Sequence, residues 1–499
     1  MTLSRRHFFY GSLLAGAVPR GGFGSTPSLK LLGYKSPNEK LNIASIGAGG
    51  KAASDIRGCA PTENIVALCD VDDKQAANIY KQYEAAPKYK DFRKMLEKEE
   101  KNIDACIVTI PDHMHATAAL AAMQMGKHVY VQKPLVRTIW EARMLTEAAA
   151  KYKVATQMGN QGYSNEGTRQ CAEMIWAGEI GNVTEVHAWS DRPVWPQGLT
   201  ELPAESPVPS TLDWDLWLGG AAARPFIQGG STYTNYNFYQ PFNWRGFYDF
   251  GCGALGDMAC HILGAPNMAL KLGTPTSVEC ISKEGTSNFM FPKKSVIRFD
   301  FPARGSMPAV KLFWHDGLKQ PPKIQGVPEG ALLGDIRRPR VRPVAGQTAP
   351  VAIPSGQGAG ATGFVGAVYD ANQTYEMSEN DGSLFIGDKG MITTGTYGEN
   401  TRLIPVEKMK DYRMPPTMLT RSPGHYRDWI RACKGGDPSC SNFSVSGPFV
   451  EWMLLGVIAL RVEGKLEYDS AKMKITNNAD ANKYIKPNFR KGWAPNWKA

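Results

Sequence analysis

The sequence has no cysteines paired as C-x-x-C, no apolar run long enough to cross a bilayer, no dense lysine and arginine block and no internal repeat. Each absence removes a class of protein. The nine cysteines, Cys59, Cys69, Cys106, Cys171, Cys252, Cys260, Cys280, Cys433 and Cys440, are odd in number. They sit mostly in apolar runs, as small buried hydrophobes do. Neither a disulfide framework nor a metal site is expected from them. A transmembrane anchor needs about 20 successive apolar residues, and none is expected here. The formal charge of +10 comes from scattered lysines and arginines. That distribution describes a solvated face, so no nucleic-acid partner is expected. What remains is ordinary globular material: 499 residues, 42% hydrophobic and 21% charged, enough for two domains with full cores.

Residues 1–33 read as a signal and linker. Ser4-Arg5-Arg6-His7-Phe8 is a twin-arginine motif, followed by an apolar stretch over 8–18 and a Pro/Gly/Ser-rich segment to about residue 28. This is the pattern of twin-arginine export. The expected location is the periplasm or beyond, with the twin-arginine translocase as a partner. That route carries folded proteins, so any cofactor would be loaded in the cytoplasm and exported bound.

Residues 34–160 alternate short β-rich runs (41–46, 65–70, 103–110, 128–131, 154–157) with helical patterns (73–83, 115–125, 139–152). Such alternation predicts an α/β fold, a parallel sheet with helices on both faces. Over 161–499 the pattern changes. Alternating stretches at 183–190, 277–282 and 296–301 predict a large, mostly antiparallel open sheet. Helices are expected near 255–263, 426–433 and 449–460, and paired strands over 382–404 around a Gly-Asp-Lys-Gly turn. Residues 320–366, rich in Pro, Gly and Ala, read as a long surface excursion, ordered in part by a neighbouring subunit.

The first βα unit carries a nucleotide signature. Gly47-Ala48-Gly49-Gly50-Lys51-Ala52 follows a strand and precedes a helix, fitting G-x-G-x-x-G/A. The first glycine permits the tight turn, and the second lets backbone N–H groups approach a pyrophosphate. The helix N-terminus favours negative charge. The second strand ends at Asp70, placed to hold ribose hydroxyls. With Asp72 and Asp73 beside it, the site favours NAD over NADP, which stays open as an alternative. The loop Thr109-Ile110-Pro111-Asp112-His113-Met114-His115 also falls at the carboxyl edge of the sheet, where open α/β folds bind ligands. Thr109, Pro111 and His115 are its cofactor candidates. One strand later, Gln132-Lys133-Pro134 places Lys133 at the same edge.

These two loops, with Gly253-Ala254-Leu255-Gly256-Asp257-Met258-Ala259-Cys260-His261, resemble the Gfo/Idh/MocA family of oxidoreductases. The likeness extends over residues 212–219, Asn243-Trp244-Arg245, residues 382–405 and Arg490-Lys491-Gly492-Trp493. It implies a Rossmann domain followed by an α/β domain that carries substrate contacts and often builds dimers or tetramers. It also implies catalysis by a lysine after the fifth strand and by Asp and His four apart on a helix, here Lys133, Asp257 and His261. One departure is that the family's usual Glu-Lys-Pro reads Gln132-Lys133-Pro134, removing a charge partner from the lysine.

These residue types suit oxidation of a CH–OH group. His261 has the intrinsic pKa to take the hydroxyl proton, and Lys133 can stabilise developing negative charge on the oxygen. Asp257 can orient the imidazole or bind a neighbouring hydroxyl. Between them, residues 233–250 are dense in aromatics that can stack on sugar faces. Tyr236, Trp244 and Arg245, with Arg192 further upstream, are candidate substrate contacts. The expected substrate is a sugar, glycoside or polyol, with the cofactor tightly held and recycled. The alternative is a redox-neutral NAD-dependent glycoside hydrolase of the same superfamily.

Overall fold

The computed structural model describes residues 38–229, 238–285, 287–337, 376–377 and 381–497. The twin-arginine segment, Tyr236 and residues 338–366 of the excursion lie outside them.

The first sheet comprises β1 (Asn42–Ile46), β2 (Asn64–Cys69), β3 (Lys88–Tyr89), β4 (Ala105–Val108), β5 (His128–Val131) and β6 (Thr156–Met158), ordered β3-β2-β1-β4-β5-β6. All its pairings are parallel. Helices α1 (Lys51–Cys59), α2 (Asp73–Gln82), α3 (Phe92–Lys98), α4 (Asp112–Gln124) and α5 (Ile139–Tyr152) connect the strands. Local chemistry sets their starts. Asp72 caps α2 by accepting from the Lys74 amide, and Thr138 and Glu141 form a capping box on α5. Helix α4 begins three residues before the periodicity suggests, because Pro111 stands at its cap with φ −60°, already suited to the first turn. The pair β3 and α3 was not read from the pattern. A two-residue strand leaves no period to detect.

The second sheet has nine strands: β7 (Val183–Trp189), β8 (Ser277–Glu284), β9 (Lys294–Phe301), β10 (Val310–Asp316), β13 (Gly382–Gly387), β14 (Met391–Thr394), β15 (Arg402–Ile404), β16 (Leu466–Asp469) and β17 (Lys474–Ile475). The short β11 (Ile336–Arg337) and β12 (Glu376–Met377) pair apart from it. The order is β15-β14-β13-β7-β10-β9-β8-β16-β17, antiparallel except for the parallel pair β7 and β10. In β9 the buried positions Ser295, Ile297, Phe299 and Phe301 alternate with more exposed ones, as a strand with one covered face requires. The excursion is not free of the fold over its described part. Leu318, Ile324, Val327 and Leu333 pack on Trp189, Leu384 and Ile404 of this sheet.

The remaining helices are α6 (Glu166–Trp176), α7 (Trp214–Leu218), α8 (Cys260–Ile262), α9 (Gly264–Leu270), α10 (His425–Cys433) and α11 (Phe443–Ala459). The last two return to the first half of the chain. Trp429, Ile430 and Cys433 of α10 join Ile43, Leu68, Ile107 and Tyr130 in one core cluster. Helix α11 covers both α5 and the second sheet, its Trp452 meeting Phe299 and Phe301 edge-on. Among the described residues, no helix is long and apolar enough to cross a membrane.

Candidate active site

The glycine turn leaves β1 directly beneath the loop after β4. Gly47 has φ +95°, and a Cβ there would sit 2.1 Å from the Thr109 carbonyl oxygen. Only glycine fits both the conformation and the space. At Gly50, φ is +53° and a Cβ would meet nothing within 4 Å, so the turn opens outward. Helix α1 then begins with no capping side chain and no acidic residue in its first turn. Its amide end is thus kept for an anion, and the cradle fits a dinucleotide pyrophosphate.

Asp70 closes the turn from the side. Its Oδ2 accepts from the Ala48 and Gly49 amides at 2.8 and 3.1 Å, and its Oδ1 accepts from the Asp72 amide at 3.0 Å. Burial raises its pKa, against the pull of those three N–H groups. Lys51 pairs with Asp55 on the next turn of α1 and reaches the Tyr426 hydroxyl at 3.4 Å.

Asp55 is a residue that the sequence pattern did not single out. It is fully buried and accepts from Thr109 Oγ1 at 2.9 Å, Gln132 Nε2 at 3.0 Å and Tyr426 Oη at 2.8 Å, besides Lys51. This accounts for the departure at Gln132. A carboxylate already occupies the place, and an amide can donate to it where a glutamate could not. Gln132 Oε1 in turn accepts from the Lys133 amide at 3.2 Å. Thr109 and Gln132 therefore act on the site through Asp55. Pro111 starts α4, and His115 stands between the carbonyl oxygens of Ile110 (2.7 Å) and Pro134 (2.9 Å), tying the two loops together. Burial lowers the His115 pKa to about 4.

The Lys133 ammonium reaches across to the second half of the chain. It donates to Asp257 Oδ1 at 2.9 Å and to the Asp257 carbonyl oxygen at 2.8 Å. Asp257 lies in a π-helical turn, Leu255–Ala259, that runs into α8. The carbonyl oxygen that accepts from the lysine is part of this turn, and Cys260 Sγ lies 3.5 Å from the same oxygen. Such π-turns recur at functional sites. Gly256 permits the approach, since a Cβ there would collide with Cys252 and lie 3.6 Å from Pro134.

Arg245 completes the cluster by donating from Nε to the same Asp257 Oδ1 at 3.0 Å. Its guanidinium lies 4.3 Å from the Trp244 ring centroid and 4.4 Å from that of Phe242, which fixes the fork by cation–π contact. Burial pushes the Asp257 pKa up, but Lys133 and then Arg245 outweigh it and hold the carboxyl well below the usual range. Arg192 contributes to that pull and pairs with Asp191 at 2.7 Å; its Nε is buried and has no hydrogen-bond partner among the described residues.

His261 follows on α8, 4% exposed. Burial, then the Lys133 charge, drives its pKa well below the ordinary imidazole value, so it is neutral at physiological pH. Among the described residues its Nδ1 has no hydrogen-bond partner, and its ring meets Tyr397 edge-on at 4.7 Å. Tyr397 is a second neighbour that the pattern missed. A third is Asp112, whose pKa burial pushes up to about 8 despite Arg245 and Lys133 nearby. The structure thus brings Lys133, Asp257, Arg245 and His261 together and places Arg192 within electrostatic reach.

Residues 41–160 match the sequence model of the Gfo/Idh/MocA oxidoreductase family, NAD-binding Rossmann fold; residues 176–283 match its C-terminal alpha/beta domain. An inositol 2-dehydrogenase from Salmonella typhimurium is 29% identical over 152 residues, covering 30% of this chain and 45% of its own. A glycosyl hydrolase family 109 protein from Solibacter usitatus is 32% identical over 177 residues, covering 32% and 39%. The chain spans less than half the length of both curated relatives. Among solved structures, the WlbA dehydrogenase from Bordetella pertussis, in complex with NADH and UDP-GlcNAcA, shares the fold. Its TM-score is 0.53 at 13% identity, over 86% of this chain and 99% of that one.

Proposed function

We propose that this chain, whose residues 41–160 and 176–283 match the models of the Gfo/Idh/MocA oxidoreductase family, oxidises a CH–OH group of a sugar, glycoside or polyol with a tightly held NAD, which is restored by passing the hydride to a second, carbonyl-bearing substrate. The observation that carries this reading is the cluster of Lys133, Asp257 and Arg245 beside a neutral, buried His261 whose Nδ1 is unpartnered among the described residues. Residues 47–51, Asp70, the loop over 109–112 and Lys133 would hold the dinucleotide. Bound NAD supplies the redox chemistry.

The chain supplies position, charge and the path of one proton. Lys133 and Arg245 share one carboxylate and present two donors to an oxygen that gains negative charge. A neutral His261 can take the hydroxyl proton. Asp257 fixes both cations and, being ionised, does not compete for that proton. Arg192, Trp244 and Arg245 serve as substrate contacts in this reading, and Trp244 works by seating Arg245.

The test is denaturing extraction of the purified protein with mass identification of any dinucleotide, then a sugar and polyol panel followed at the reduced-nicotinamide absorbance. Substrate-dependent reduction supports the proposal, and no reduction with any member of the panel counts against it. The Solibacter relative motivates a second reading, a redox-neutral glycoside hydrolase. Release of an aglycone with no lasting absorbance change would select it.

We infer also that Arg5 and Arg6 direct export through the twin-arginine route, and that the protein works as a homodimer or homotetramer. Lysines at both arginine positions should keep the protein in the cytoplasmic fraction, and unchanged export would refute the first inference. Light scattering that gave the monomer mass would refute the second.

A further inference from the structure

The sheet order sets β2, β1 and β4 side by side, so the loops after β2 and β4 flank the glycine turn after β1. A segment from the second half of the chain, residues 211–220, is fastened to both. At its first end, the Asp73 amide donates to the Thr211 carbonyl oxygen at 3.1 Å and the Asp213 amide to that of Val71 at 2.9 Å. Asp72 and Leu212 form an antiparallel bridge between these bonds. Lys90 adds a bond to the Thr211 carbonyl oxygen at 2.9 Å. At the other end, His113 Nε2 lies 3.1 Å from the Trp217 carbonyl oxygen, and the Gly220 amide donates to Met114 Sδ at 3.3 Å. Gly219 has φ +49°, and a Cβ there would fall 2.2 Å from the same sulfur. The segment therefore runs from the edge of the Asp70 strand to the start of α4.

The far end of the chain holds that segment in place. Arg490 pairs with the Asp215 carboxylate and donates to the backbone oxygens of Asp215 and Gly219, each at 2.9 Å. Its own amide donates to the Gly220 carbonyl oxygen at 3.0 Å. Three residues on, Trp493 lies 4.1 Å from the guanidinium of Arg93 on α3, which ties the tail to the nucleotide half as well.

We propose that residues 211–220 form a strap across the mouth of the dinucleotide cleft, latched by Arg490, and that this strap sets how slowly the cofactor leaves. The proposal rests on the reading of NAD as a retained group. The glycine turn and Asp70 explain recognition. Neither explains retention, because backbone contacts at an open edge leave departure unhindered. A strap fastened to both flanking loops makes departure wait on its opening, which acts on the off-rate.

The full-length holoprotein would be desalted repeatedly, and exchange of its bound dinucleotide against isotope-labelled NAD followed by mass spectrometry. The wild-type protein should keep its NAD through desalting. Arg490→Ala, which removes every side-chain bond of the latch, should speed exchange about tenfold or more, and Asp215→Ala, which removes only the exposed ion pair, about two- to fivefold. The double variant should go little beyond the more severe single, since both cut one latch. Wild-type retention with both variants exchanging at the wild-type rate overturns the strap and leaves the retained-cofactor reading standing. A wild-type protein that exchanges within the mixing time overturns both. If circular dichroism shows Arg490→Ala unfolded, Asp215→Ala carries the test, because the Asp215 side chain is 72% exposed.

Discussion

At the glycine turn, the decisive groups are backbone amides, and the contacts that shape them come from adjoining segments of one sheet. Around Lys133, the decisive groups are side-chain charges, drawn from a strand end and, more than a hundred residues later, from an aromatic loop and a π-helical turn 12 residues apart. The first region is specified by conformation and fails when a side chain is added. The second is specified by charge pairing and fails when one is removed. The difference teaches that recognition of the cofactor and execution of the reaction rest on separate physical grounds and can be broken one at a time.

The largest effect should come from the charged cluster. Lys133→Ala and His261→Ala should lower kcat by about 10²–10⁴-fold, the usual worth of a positioned donor or base, while His261→Ala keeps its bound NAD. Turnover near wild type in both would refute their roles. Next comes the turn. Gly47→Ala should cost about 1–3 kcal/mol from the backbone alone, with the collision at Thr109 in addition, and should empty the dinucleotide site. A thermal melt with dinucleotide analysis reads both, and full occupancy would contradict the conformational account.

A third, smaller effect tests the link between the regions. Gln132→Glu should destabilise the protein by about 1–3 kcal/mol at neutral pH, because it removes a buried donor and faces Asp55 with a second carboxylate. Adding Asp55→Asn should restore most of the loss. The pair is uncoupled if the double variant is no better than the single. The smallest effect concerns pH. With the His261 pKa pushed down, its neutral form persists as pH falls through 6.5, so kcat/KM should change less than about twofold between pH 8 and 6.5. An acidic limb at or above pH 6.5 would place the base elsewhere.

The same difference decides what could be read from the chain. The turn at Gly47 and the strand end at Asp70 are contiguous with strong periodic elements, so their context confirms them. Strands at 128–131 and helix 139–152 are matched to the residue by β5 and α5. Asp55, Asp112 and Tyr397 escaped because each is a single polar residue whose meaning arises only from what folds against it. Asp55 looks like one more position on an amphipathic helix until Tyr426 and Gln132 arrive. The π-turn that carries Asp257 escaped because one widened turn leaves a helical period nearly unchanged.

The packing of α10 against the nucleotide half has a consequence for how the protein is made. Tyr130 bonds to His425, 295 positions further along, and Trp429 fills the same cluster as Ile43 and Leu68. At about 5–20 residues per second, a ribosome takes roughly 15 s to a minute to add that length. During this interval α1 and α2, through Ile56, Cys59, Ala76 and Ile79, are that cluster's helical cover, and the share that α10 supplies is missing. The nucleotide half completes this core only late in synthesis. It must wait, exposed to chaperones and to misassociation, until nearly the whole chain has emerged. High contact order of this kind slows folding.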